Sequence, residues 1–417
     1  MMARRLVPIF CAFLACCHAT ASDWPQWLGP NRSGVVAVAE PIQPWPASGP
    51  KIVWRVPCGE GCATPVVSGE RVVVMDRVAD TERIRCLAAG DGAEQWKVTY
   101  EETARVAAPW GGGARCTPAI ANGRVFALGI GGRLTCASMA DGQVVWHKRI
   151  VRFESIGHRS YGVYGSPLVV GDVVVCTRQR SPAVVAYDCK TGELTWKALR
   201  TGTYFHTPQL ATVAGRRQIV VGVWKDLVGL DASSGAVLWR HAHPKPIDAL
   251  TTPLVHGDVV AFNGYGIPTY AVKVTAGEDG FATKEVWQSR DVRPWFNAAI
   301  AHKGRLYCPS QMPGRRGGLV CCNISTGKLL WRFPIKGIHS KATAWVQMLG
   351  ERLLISRESG ELILGEDGGE AFKQLARAKV LDGEAFAMPA FADGRLYWRS
   401  FREVICLGLR RPKGGDR

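Results

Sequence analysis

Apolar and polar positions along this chain repeat in short bursts about 45 residues apart, and no stretch sustains the 3.6-residue period of an amphipathic helix. Each burst opens on a small residue and proline, passes through a few apolar residues to a glycine turn, and continues as a β-branched run. The copies read TPVVSGERVVV from Thr64, TPAIANGRVFA from Thr117, SPLVVGDVVVC from Ser166, TPLVHGDVVAF from Thr252, AAIAHKGRLYC from Ala298 and MPAFADGRLYW from Met388. Thr207 begins a copy with a longer turn and Thr343 one without the proline, which makes eight.

A second burst follows some 30 residues later in the first six units. It reads CLAAGDGAEQW to Trp96, CASMADGQVVW to Trp146, AYDCKTGELTW to Trp196, GLDASSGAVLW to Trp239, a stretched version to Trp287, and CNISTGKLLW to Trp331. Phe372 is read as the substitute for Trp in the seventh unit. Asp-Gly and Thr-Gly pairs in this burst mark the hairpin between a third and a fourth strand, where positive φ favours glycine. Four short strands per unit, repeated eight times, predict an all-β fold: an eight-bladed β-propeller of four-stranded antiparallel blades. The eighth unit stops before its outer strand, and the missing piece, Lys51-Ile52-Val53-Trp54-Arg55-Val56, stands at the other end of the chain. Pairing the two ends closes the ring and removes two sheet edges. Trp54, Trp96, Trp146, Trp196, Trp239, Trp287 and Trp331 are then expected to dock between neighbouring blades.

The Ala186–Trp196 stretch, with its A-x-D-x-x-T-G-x-x-x-W pattern, resembles the tryptophan-docking motif of quinoprotein-type propellers, a group that includes the pyrroloquinoline quinone (PQQ) dehydrogenases and the BamB-like proteins. The opening DWPQWLGPNRSG from Asp23 resembles the leader of secreted BamB-like propellers. The resemblance runs from about Lys51 to Leu409 and implies the fold; such discs host both enzymes and scaffolds.

Arg4 and Arg5 before an apolar run and Ala19-Thr20-Ala21 read as a cleaved export signal. The expected organisation is a signal at 1–21, a leader at 22–50, the propeller at 51–409 and a basic tail at 410–417. A rival reading treats Phe13-Leu14-Ala15-Cys16 as a lipid attachment site, giving membrane contact through Cys16. Lys and Arg number 52 against 35 acids, a net charge of +17 that favours anionic surfaces. Export argues against nucleic acid and leaves a protein or an extracellular polymer as partner, engaged by a monomer. Of 14 cysteines, Cys11, Cys16 and Cys17 precede the leader; the odd remainder cannot all pair within the chain.

Loops entering each innermost strand should open on one face, the mouth of the disc. They carry Trp110 and Arg115, His158, Arg159 and Tyr161, Tyr204 and His206, Asp248, Arg293, Trp295 and Asn297, then His339 and Lys341. These are the candidate partner-binding residues. Cys58 and Cys62 flank glycines in the first such loop and are candidates for a local disulfide, with a metal site or unpaired thiols as alternatives. His158, His206 and His339 suit zinc if they converge and are ordinary loop histidines if they do not. No catalytic residue and no metal set is assigned: G-x-S-x-G, P-loop and H-E-x-x-H motifs are absent. PQQ would need Arg115, Arg159, Arg293 or Lys341 for its carboxylates and Trp110 or Trp295 for its rings, plus a Ca²⁺ set that Glu60, Asp248, Asn297 and Glu384 do not make in sequence. The family resemblance therefore implies an exported, non-enzymatic binding scaffold with no cofactor. A PQQ- or metal-dependent oxidoreductase acting on an alcohol or sugar is the competing reading.

Overall fold

The computed structural model describes residues 23–104, 106, 110–151, 162–202, 206–243, 251–264, 267–294, 297–310, 317–335 and 344–409. Their β-branched runs pair into eight antiparallel sheets, and no helix occurs among them. Blade 1 consists of Val66–Ser68, Arg71–Val78, Thr81–Ala88 and Glu94–Glu101, from the hub outwards. Blades 2 to 7 follow at 119–149, 168–198, 209–242, 254–289, 300–334 and 344–379. Blade 8 takes Ala390–Ala392, Arg395–Arg399 and Glu403–Gly408 from the end of the chain and its outer strand, Lys51–Pro57, from the beginning. Lys51 pairs with Gly408 and Trp54 with Cys406, so the ring closes by the expected strand.

Each outer strand carries a bulge beside the docking position, and the register there is constant. Trp96 faces Cys86, Trp146 Cys136, Trp196 Ala186, Trp239 Gly229, Trp287 Ala271 and Trp331 Cys321. A small residue in that slot leaves room for the indole. For Trp54, Trp96, Trp146, Trp196 and Trp287 the ring then lies over the hairpin glycine of the following blade. A Cβ built on Gly142 (φ +76°) would meet the Trp96 ring at 2.7 Å, and one on Gly192 (φ +72°) the Trp146 ring at 2.6 Å. Glycine is thus required twice, by the turn and by the ring above it. The indole N–H groups of Trp54, Trp96, Trp146 and Trp287 donate to carbonyls of the next blade: Ala89, Met139, Cys189 and Ile324, at 2.8–3.1 Å. Trp331 reaches the Asp367 carboxylate instead, at 3.0 Å.

Blade 7 departs from the expectation. Its bulge falls at Leu364/Gly365, which puts Ala376, not Phe372, in the docking position. Phe372 sits at the hairpin and packs back on Trp331 and Phe333, at ring-centroid distances of 6.2 and 4.5 Å.

The small residue before each proline also has a role that spacing did not reveal. The Thr64 N–H donates to Thr117 Oγ1 (3.2 Å), the Thr117 N–H to Ser166 Oγ (2.9 Å), and the Ser166 N–H to Thr207 Oγ1 (3.1 Å). These hydroxyls stitch the innermost strands of blades 1 to 4 together around the hub.

Residues 23–36 lie across the hub against the innermost strands. Trp24 pairs with Val67, the Ile120 N–H donates to Pro25 O, Arg32 bonds Pro167 O and Pro208 O, and the Trp27 indole donates to Thr252 Oγ1. Val35 and Val36 add a fifth, parallel strand to blade 7 at Met348 and Leu349. Each innermost strand starts at the mouth; the leader backbone lies at the far ends, where Asp23 meets Ser68 and Gly69 and Val36 meets Gly350, and the Trp27 and Arg32 side chains reach back toward the starts. The leader therefore covers the hub on the face opposite the mouth.

Candidate functional site

The mouth is built from the loops that enter innermost strands and from the turns between second and third strands. Its described residues gather where blades 8, 1 and 2 meet. Glu60 and Arg77 exchange backbone hydrogen bonds of 3.0 and 2.9 Å, and the Glu60 carboxylate caps the Gly112 N–H. The Arg77 guanidinium is buried and donates to Ala79 O, Ala104 O, Gly112 O and Glu102 O at 2.6–3.0 Å. Arg399 is fully buried; it donates to Gly59 O at 2.5 Å and to Met75 O, and lies 3.6 Å from the Cys58 sulfur. Asp76, also fully buried, takes both Arg83 nitrogens at 2.6 Å and the Gly59 N–H at 3.0 Å. Burial alone would raise its pKa, but the Arg83 and Gly59 hydrogen bonds outweigh it and hold the carboxyl below its ordinary range.

Arg115 donates to Trp110 O (2.9 Å) and Gly111 O (3.0 Å) and lies over the Tyr164 ring at 5.4 Å. Trp110 is half-buried and Phe401 packs on Phe386 at 5.6 Å, with Gly111 against its edge. The buried charges of this seam, Arg77, Arg399 and Asp76, are spent on shaping loops. What faces solvent is Trp110, Phe401, Arg402 and Glu384.

Cys58 and Cys62 form no disulfide; all eleven described cysteines are thiols. Their sulfurs turn to separate carbonyls, Ser400 O and Trp110 O, both at 3.4 Å, and to separate guanidiniums. Burial pushes both thiols up despite Arg399 beside Cys58 and Arg115 beside Cys62, which makes them poor nucleophiles. The other repeat cysteines, including Cys321 and Cys322, are strand filler with no exposure.

Two further candidates, His206 and Asn297, are not mouth groups. His206 is buried in the wall, its Nδ1–H donating to Thr251 O at 2.8 Å; burial, against that hydrogen bond, lowers its pKa to about 4. Asn297 is fully buried and its amide ties Pro309 O to Ala344 O, both at 2.9 Å, joining blades 6 and 7. Arg293 is half-buried with Nε on Arg290 O at 3.0 Å. His158, Arg159, Tyr161, Tyr204, Asp248, Trp295, His339 and Lys341 lie outside the described residues, as do the signal at 1–21, with Cys16, and the tail at 410–417.

The oxygen groups of a Ca²⁺–PQQ site do not assemble from the described residues. Asn297 is committed to two carbonyls, Glu60 to Gly112, and Glu384 stands exposed in another loop. No group of three His, Cys, Asp or Glu among the described residues is placed to hold a metal. Arg77, Asp76 and Arg399 were missed in the sequence. Their signal was a charged residue ending an otherwise apolar second strand, as in VVVMDR and LYWR.

A sequence model of the family described as outer membrane protein assembly factor BamB matches residues 80–316, more than half of the chain. The chain belongs to the BamB family. The BamB of Yersinia pestis is 25% identical over 252 residues, which span 59% of this chain and 56% of that protein. Among solved structures, BamB from Moraxella catarrhalis superposes with a TM-score of 0.62 at 15% identity, over 89% of this chain and all of that one. A quinohemoprotein alcohol dehydrogenase from Pseudomonas putida gives 0.66 at 13% identity, over 95% and 82%. At such identities the superpositions show a shared propeller and nothing about chemistry.

Proposed function

We propose that this chain is an exported binding scaffold that docks a protein of the outer-membrane assembly apparatus at its mouth. The observation that carries the reading is the seam of blades 8, 1 and 2. There Arg77, Arg399 and Asp76 are consumed in fixing loop backbones, which leaves a rigid rim bearing Trp110, Phe401 and Arg402. Preorganised loops with aromatic and Arg side chains suit partner capture, because little conformational freedom is lost on binding. The family's description as an outer membrane protein assembly factor supports a protein partner, and the signal-like start of the chain supports export.

The test is a pull-down from envelope extract with the mature protein and with a Trp110→Ala/Arg293→Ala/Arg402→Ala variant. Loss of a defined protein from the variant's eluate is the expected result. Undiminished capture moves the site off the mouth, and capture of polysaccharide alone replaces the protein partner by a polymer. A raised melting temperature with PQQ and Ca²⁺, together with dye-linked alcohol oxidation, overturns the scaffold reading in favour of a dehydrogenase.

A further inference from the structure

Exposed charge divides between the two faces of the disc. On the face opposite the mouth, the turns and hairpins that link strands hold eleven exposed acids, Glu70, Asp141, Asp172 and Asp258 among them. Against these stand Lys190, Lys303 and Lys328, and Lys303 is taken by Glu351 at 2.7 Å. The net charge of +17 therefore has its excess elsewhere. In the mouth links the balance reverses: among the described residues the exposed cations are Arg180, Arg200, Lys225, Arg290 and Arg402. Three exposed acids oppose them. Glu60 caps the Gly112 N–H and Asp382 pairs with Lys379 at 3.2 Å, which leaves Glu384. By sequence, the parts of these links outside the described residues add eight Lys and Arg and two acids.

Arg200, Lys225, Arg290 and Arg402 make no side-chain hydrogen bond or ion pair among the described residues. Like charges gathered on one rim repel each other and are relieved by an anionic partner. Beside Lys225, Trp224 is 43% exposed and held at φ +40°, a left-handed backbone that residues with a Cβ rarely adopt. Such strain persists where the surrounding structure enforces it, and it collects at binding sites. On the reading that the mouth is the docking face, we infer that it takes an acidic protein surface, with carboxylates on Arg200, Lys225, Arg290 and Arg402 and an apolar side chain on Trp224. The acidic tips of the opposite face repel the same partner, so the field of the disc also sets the direction of approach. An anionic bilayer fits less well. Of the exposed large apolar residues only Val78 and Trp224 stand at the mouth, and the others are on outer strands.

Fluorescence anisotropy with a dye-labelled peptide, Glu-Leu-Glu-Ser repeated three times, tests the charge, and the same peptide with Gln for Glu is the control. The acidic peptide binds the mature chain, and its affinity falls about tenfold or more as NaCl rises from about 50 to about 300 mM; the Gln peptide does not bind. Arg200→Glu/Lys225→Glu/Arg290→Glu abolishes binding. Glu70→Lys/Asp172→Lys/Glu370→Lys makes the chain more cationic on the other face and changes binding by less than about twofold. Should the first variant fail to fold, Gln at the same three positions weakens binding by about tenfold. Trp224→Gly costs about threefold or more in affinity and does not lower the melting midpoint. The inference is overturned if the acidic peptide does not bind, if the two charge reversals act alike, or if Trp224→Gly binds like the parent. It is also overturned if phosphatidylglycerol vesicles, and not the peptide, lose binding on reversal at the mouth. Envelope capture that is lost in Trp110→Ala/Arg293→Ala/Arg402→Ala but indifferent to NaCl keeps the mouth as docking face and removes only the acidic partner; capture undiminished in that variant removes the docking face itself.

Discussion

Trp146 and Trp196 hold equivalent places on neighbouring blades but are not equivalent in energy. The Trp146 indole donates to Cys189 O at 3.1 Å, whereas the buried Trp196 N–H has no partner among the described residues. Replacing Trp146 by Phe leaves the Cys189 carbonyl only the weak Cys136 S–H donor at 3.7 Å and should cost about 1 kcal/mol more than replacing Trp196 by Phe, read from urea unfolding of both variants. Equal costs would show that ring packing alone carries the docking. Glu82 is a second residue whose setting makes a measurable claim. It is buried between blades 1 and 2, accepts Tyr100 Oη–H at 2.9 Å and the Ile130 N–H at 3.1 Å, and burial raises its pKa to about 7 despite those bonds. Glu102, Arg77, Arg133 and Arg149 are its charged surroundings. The folded state thus holds the Glu82 proton more tightly than the unfolded chain does. Its stabilising contribution is full below about pH 4.5 and is lost as pH rises through about 7. Glu82→Gln should therefore gain stability relative to the parent across that window, on the order of 3 kcal/mol, with a constant difference above it. A difference that is flat with pH would mean that Glu82 is ionised in the native protein.

At the scale of the element, the outer strand of blade 8 is the piece whose removal matters most. Without Lys51–Val56, the strand Glu403–Gly408 becomes an open edge, and the Trp54 ring no longer packs with Tyr397 or donates to Ala89 O. The melting midpoint should fall by on the order of 10 °C or more on that deletion. An unchanged melt would mean that the blade is complete without it. This strand was legible because repeats expose a missing member: Trp54 precedes any full unit, and the last unit lacks its Trp. Phe372 was misread because an aromatic at the right distance along the chain was taken for one in register, whereas a bulge at Leu364/Gly365 sets the docking position at Ala376. The candidate site was less legible than the fold. His206 and Asn297 are polar residues in mouth-entering loops, but their side chains turn inward, His206 to a carbonyl of the next blade and Asn297 to one carbonyl of its own blade and one of the next. Spacing along one strand carries no information about such contacts across blades. Arg77 and Arg399 were hidden for the same reason.

At the scale of the whole molecule, the leader and the closing strand give the first few dozen residues of the disc contacts with every blade. Residues 24–36 touch the innermost strands of blades 1 to 7, and Lys51–Pro57 completes blade 8. Lys51 meets Gly408, its partner, across nearly the full length of the chain. Contacts of such separation are slow to form, because the intervening loop must be closed first. A ribosome can therefore finish individual blades but never the circle, which waits for the final strand to emerge. Until then the growing chain stays open, with its first and last blades unjoined. A chain terminated early would display raw sheet edges to any protease nearby.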